Sequence, residues 1–90
     1  IEGGRLQTLP EASFENATLN NVNLSEASLI KARFAGATLT RCNLSRAELQ
    51  GADLSQATLI DCQLDRARYD AQTLFPVGFS DFNQLQWKGS

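Results

Sequence analysis

Ninety residues, 42% of them hydrophobic and 20% charged, are enough for one domain. Eight basic residues against ten acidic ones leave a net charge of −2, with no basic stripe of the kind nucleic-acid binders carry. The absence of histidine excludes Ser-His-Asp and Cys-His catalysis, and no apolar run approaches the ~18 residues of a membrane-spanning helix.

The first eleven residues precede the regular pattern and read as an N-terminal cap, 1–11. Gln7-Thr8-Leu9-Pro10-Glu11 is in step with the regular blocks, with Leu9 five residues before Phe14, and reads as a degraded first block. Pro10 lacks a ladder donor, which suits an edge. A blunted edge keeps two molecules from pairing there.

From Ala12 to Ala71 the chain is one motif of five residues repeated twelve times. The third place of each block is large: Phe14, Leu19, Leu24, Leu29, Phe34, Leu39, Leu44, Leu49, Leu54, Leu59, Leu64 and Tyr69. The first place is Ala, or Val22, Cys42 and Cys62. A period of five is neither the 3.6 of a helix nor the 2 of a strand. A helix would smear the leucines around its cylinder, and a straight strand would alternate them between faces. The pattern persists only if the chain turns once per block, with the large and small places inside and three mostly polar places outside. Coils of this kind stack by backbone pairing ~4.8 Å apart and bury together what no single repeat can bury alone.

Identities recur at an offset of twenty: Thr18, Thr38 and Thr58; Asn23 and Asn43; Ser25 and Ser45; Phe14 and Phe34; Cys42 and Cys62. That offset predicts four sides per coil. Opposite charges align at the same offset, as in Arg33 with Asp53 and Arg41 with Asp61, but an offset of fifteen gives as many such pairs. The two cysteines read as small core residues rather than a disulfide or a metal site, and no CxxC accompanies them.

After Ala71 the pattern fades into a C-terminal cap, 72–90. Gln72-Thr73-Leu74-Phe75-Pro76 echoes the front end, which predicts Gln72 in the small inward place and Leu74 continuing the column of Phe14, Phe34 and Leu54. Val77-Gly78-Phe79 is a turn. Ser80 as N-cap and Asp81 in the first turn predict a short helix that lays Phe82 and Leu85 on the open end. Phe75, Phe79, Phe82 and Trp87 form the densest aromatic region. They read either as a hydrophobic cap or as a docking surface.

The blocks, most plainly Ala52-Asp53-Leu54-Ser55-Gln56, resemble the pentapeptide repeat proteins. The tail from Tyr69 to Phe79 is similar to the endings of cyanobacterial members and points to a cyanobacterial or plastid lineage. The resemblance implies an all-β fold, a right-handed quadrilateral β-helix; the sixty repeat residues then make about three twenty-residue coils, closed by the short capping helix expected after Ser80. The residues themselves offer no phosphate loop, metal motif or dinucleotide fingerprint, so no cofactor, catalytic residue or metal ligand is expected. The resemblance also implies that the stretch is a repeat domain cut from a larger protein or a free-standing small one.

Three functional readings fit these features. The first is a non-catalytic module that binds a protein partner, as a monomer or a weak end-to-end dimer. The second is a targeting or scaffolding arm of a larger cyanobacterial protein such as a serine/threonine kinase. The third, a DNA mimic that binds DNA gyrase, is disfavoured because Arg41, Arg46, Arg66 and Arg68 interrupt any acidic stripe. Direct nucleic-acid binding fares no better, since basic residues and outward aromatics share no groove. A cytoplasmic setting is favoured; the thylakoid lumen or periplasm would require a leader to have been removed.

Overall fold

The computed structural model describes residues 3–8, 11–80 and 82–88. The expectations for Leu9, Pro10 and Asp81 lie outside them. The elements are β1 (Thr18–Asn20), β2 (Thr38–Thr40), β3 (Thr58–Ile60), β4 (Arg68–Tyr69), a 3-10 turn (Phe82–Gln84) and β5 (Gln86–Trp87).

β1, β2 and β3 form a parallel sheet in chain order, with Leu19 beside Leu39 and Leu39 beside Leu59. Three further ladders run at the same twenty-residue offset, through Ser13, Arg33 and Asp53, through Asn23, Asn43 and Gln63, and through Ser28, Glu48 and Arg68. Each rung bonds both ways. Leu24 N–H donates to Asn43 O at 2.7 Å, and Asn43 N–H donates to Val22 O at 3.0 Å.

The side chains stack as the backbone does. Leu19, Leu24, Leu29, Phe34, Leu39, Leu44, Leu49 and Leu54 are fully buried, with Ala27, Ala32, Ala37, Ala47 and Ala52 between them. Phe14 lies parallel over Phe34 with ring centroids 4.9 Å apart. Leu64 is buried, while Phe14, Leu59 and Tyr69 are half-buried.

Two devices turn the corners. At most of them, but not at Val22, Cys42 or Cys62, the amide of the small residue donates back to the carbonyl of the preceding large one, as from Ala32 to Leu29 and from Ala47 to Leu44. The residue before it takes a positive φ, at Glu11, Asn16, Asn21, Glu26, Lys31, Gly36, Arg41, Arg46, Gly51, Asp61 and Arg66. Gln56 is missing from that series. There Gly36 N–H meets Gln56 O, whereas Lys31 N–H meets Gln50 O, one residue earlier in its block. Asn or Asp in the second place adds a brace. Asn23 Oδ1, Asn43 Oδ1 and Asp53 Oδ1 accept from the amides of Ser25, Ser45 and Ser55 at 2.9–3.0 Å. This is the local bond that favours Asx residues at turns.

Both ends break the twenty-residue spacing. At the lower, N-terminal end Arg5 pairs with Asn23, eighteen residues on, and Leu6 packs against the core. At the upper, C-terminal end Leu74 pairs with Asp53, twenty-one residues back. The extra residue moves every following side chain by one place. Thr73, not Gln72, turns inward and is 8% exposed. Leu74 turns outward and is 50% exposed, so it does not continue the phenylalanine column, and Phe75 packs against the core in its stead. The chain then takes a short cut: Arg68 pairs with Gln86 and Tyr69 with Trp87, eighteen residues apart. The expected capping helix is a single 3-10 turn, because β5 begins two residues after it.

Candidate interaction surface at the upper end

The short cut decides what the upper end exposes. By skipping part of a circuit, the chain leaves the top of β3 and of the next side without a rung. One coil below, Ala37 O accepts from Thr58, Arg41 N–H donates to Ile60, Cys42 O accepts from Gln63 and Leu44 N–H donates to Gln63. Their counterparts, Ala57 O, Asp61 N–H, Cys62 O and Leu64 N–H, have no upward partner among the described residues. Beside them lies a cleft of about 230 Å³ lined by Leu59, Asp61, Cys62, Leu64 and Phe79.

The four aromatic residues of the tail come together around Tyr69. Its ring centroid lies 5.7 Å from Phe75, 5.8 Å from Phe82 and 5.2 Å from Trp87. Phe75 and Phe79 stack at 4.6 Å, and Phe82 meets both edge-on. The group divides by exposure: Phe75 and Phe79 pack on the core, whereas Phe82 and Trp87 are exposed. The exposed large hydrophobic residues Ile60, Leu74, Val77, Phe82 and Trp87 all belong to this end. Sequence reasoning missed Leu74 and Val77, because the one-residue shift that turns Leu74 outward has no signature in the five-residue period.

An aspartate holds that shift in place. Asp70 Oδ1 accepts from the amides of Gly51 (3.1 Å) and Gln72 (3.0 Å). Thr73 Oγ1 accepts from Asp70 N–H, donates to Leu49 O at 2.8 Å and lies 3.2 Å from Asp70 Oδ1. Desolvation pushes the Asp70 carboxyl upward, but the donors from Gln72, Gly51 and Thr73 outweigh it and hold its pKa below the ordinary value. At Asp53 the Ser55 hydroxyl, then the Ser55 amide, lower the pKa against a smaller desolvation effect.

The cysteines are free thiols. Cys42 is buried, and its Sγ–H points at Leu19 O, 3.3 Å away on the coil below; Cys62 repeats the geometry to Leu39 O at 3.2 Å. Burial is the largest influence on the Cys62 thiol and pushes its pKa up, outweighing the backbone bonds at Cys42 and Ile60 that lower it. That is the opposite of an activated nucleophile. Among the described residues no group of His, Cys, Asp and Glu is placed to hold a metal ion. The ion pair between Arg68 and Glu48, at 3.5 Å, joins adjacent rungs, while Arg41 Nε reaches down to Asn21 Oδ1 at 3.3 Å rather than to Asp61.

The family model for pentapeptide repeats matches residues 9–46 and 47–68, in eight copies. The chain belongs to the pentapeptide repeat family. Two solved pentapeptide repeat proteins resemble it. Rfr23 from the cyanobacterium Cyanothece 51142 is 31% identical with a TM-score of 0.72, over 74% of this chain and 46% of that one. The protein alr5209 from Nostoc Pcc 7120 is 27% identical with a TM-score of 0.73, over 93% of this chain and 80% of that one. Among curated proteins no significant match is found. This pentapeptide repeat chain thus has cyanobacterial structural neighbours and spans less than half the length of Rfr23. No helix among its described residues is long and apolar enough to cross a membrane.

Proposed function

We propose that this pentapeptide repeat chain is a non-catalytic display module that binds a protein partner through its upper end. It winds as a right-handed, four-sided β-helix of about three coils in 12–71, with 1–11 and 72–90 as caps. The four ladders and the two solved neighbours support that winding. The observation that carries the functional reading is the gathering of exposed apolar side chains at one end. Ile60, Leu74, Val77, Phe82 and Trp87 lie there beside an unpaired strand edge. Apolar patches of this kind mark interaction sites, and Trp is prominent among the residues that dominate binding energy. Phe75 and Phe79 form the floor of the surface, and Phe82 and Trp87 its contact points.

The test is capture of a partner from a cyanobacterial lysate by immobilised wild-type chain, Val77→Asp, Trp87→Ala and the control Thr38→Ala. A partner captured by wild type and control but lost with Val77→Asp and Trp87→Ala supports the reading. Equal capture by all four proteins overturns it. The free module is a monomer or a weak end-to-end dimer in the cytoplasm.

A second reading is favoured by one observation, the 46% coverage of Rfr23. Stacks of this length occur inside longer chains. The module then serves as a targeting or scaffolding arm of a larger cyanobacterial protein, for example a serine/threonine kinase.

A further inference from the structure

The uncapped step above β3 is more specific than an apolar patch. Its unpaired backbone groups follow the corner from one side of the coil to the next. Ala57 O, Leu59 N–H, Leu59 O and Asp61 N–H lie on the first side, Cys62 O and Leu64 N–H on the second. A straight strand reaches only the first side. A segment that reaches both sides must itself turn after five residues, which requires a small residue at the corner.

The cleft between Leu59, Leu64 and Phe79 is about 230 Å³. That is below the ~300–1,000 Å³ of small-molecule sites and suits one aliphatic side chain. The rim is acidic. Asp61 is exposed and is the charged residue that lines the cleft. Arg41, one coil below Asp61, is turned down to Asn21, so the Asp61 carboxylate has no ion-pair partner among the described residues.

We infer that this step binds an extended segment of a partner protein as an added parallel strand, with a small–x–Leu–x–Arg/Lys block followed by a second small residue. Strand addition draws its affinity from main-chain bonds and its specificity from side-chain pockets. The added leucine enters the cleft, and the basic residue lies over Asp61. The inference deepens the proposed function by stating what the partner offers to this end of the molecule.

A suitable probe is an eight-residue peptide with the sequence of residues 37–44, serine replacing Cys42: Ala-Thr-Leu-Thr-Arg-Ser-Asn-Leu. In the native stack this sequence pairs with β3 from below, with Arg41 one rung from Asp61. Added to the full 90-residue chain, it is expected to bind saturably and to slow hydrogen exchange of the Asp61 and Leu64 amides about tenfold or more. N-methylation of the peptide's first threonine and its asparagine removes the donors to Ala57 O and Cys62 O. This change, and separately Asp61→Lys in the protein, should each weaken binding about tenfold or more. The N-methylated peptide leaves the protein untouched, so a folding defect cannot imitate its effect.

Equal binding of the native and N-methylated peptides overturns the inference, as does unchanged exchange at Asp61 and Leu64. Protection of the same amides by self-association, seen as a concentration-dependent sedimentation coefficient without peptide, also overturns it by making a second copy the occupant. If the peptide fails while Val77→Asp still abolishes partner capture, strand addition is wrong and the interaction surface stands.

Discussion

The residues that turn the corners are exposed to solvent and conformationally costly. An L-residue in the left-handed region gives up roughly 1–2 kcal/mol, and Glu26, Lys31, Arg41 and Arg46 all sit there. Glycine relieves the steric cost and returns roughly 0.5–1 kcal/mol in backbone entropy. Arg46→Gly should therefore stabilise the fold by about 0.5–1 kcal/mol, read as a higher urea midpoint. Gly36→Ala should do the reverse, because φ is +73° and the new Cβ would meet the Asn16 side chain. Asp53 and Asp70 give a pH dependence of known sign. Their folded pKa values are lowered, so the stability they contribute is present above the unfolded carboxylate pKa of ~3.9 and is lost as pH falls through the folded values. Asp70→Asn keeps an acceptor oxygen for Gly51 and Gln72 and removes the titration. Its thermal midpoint should fall less steeply than that of wild type between about pH 4 and pH 2.

At the level of the coil, stability depends on neighbours above and below. Leu44 is buried at 1% exposure. Leu44→Ala should cost about 2–5 kcal/mol, a large share of what so small a domain has. Thr38→Ala, on the outside of β2, should shift the denaturant midpoint far less; equal losses would contradict the inside and outside assignment of the two columns. Thiol labelling of the native protein should be slow at both cysteines and slowest at Cys42, whose thiol is enclosed while that of Cys62 borders the cleft. The columns were legible in the sequence because a period of five with a large third place has one geometric solution, and Thr18, Thr38 and Thr58 mark its length. The ends were not. Thr73 and Leu74 exchange roles through the bonds of one carboxylate, and nothing in Gln72-Thr73-Leu74 announces that Asp70 has taken up an extra residue. At the lower end the pairing of Arg5 with Asn23 brings Leu6 to the core through a two-residue shortening that hydrophobic spacing alone does not reveal. Tyr69 was read as a core residue; that it also joins the aromatic cluster comes from the return of β5 above β4, and the turn legible at Val77-Gly78-Phe79 does not say where the chain returns.

At the scale of the whole molecule the two ends differ in character, within a body of 35 × 23 × 23 Å. The upper end concentrates the exposed apolar side chains and the open backbone step, so a partner approaching there meets both. The sides carry mixed charges, with Arg68 over Glu48 as a bonded pair. Exposed pairs of that kind contribute ~0.2–1 kcal/mol, so Glu48→Gln should move the thermal midpoint little. The repeat explains why function was less legible than fold. Its inward places dictate the stack, while its outward places vary without disturbing it, and the proposed surface arises only where the repeat stops.

The constant twenty-residue pairing along β1, β2 and β3 has a mechanical consequence. Tension applied between the termini loads the coils in series, and a coil can leave only from an end. Each coil that peels away frees twenty residues, or about 70 Å of extended chain. A force trace should therefore show evenly spaced steps of that length, preceded at each end by an irregular release where the spacing is eighteen or twenty-one. Such a rod measures out its own length under load.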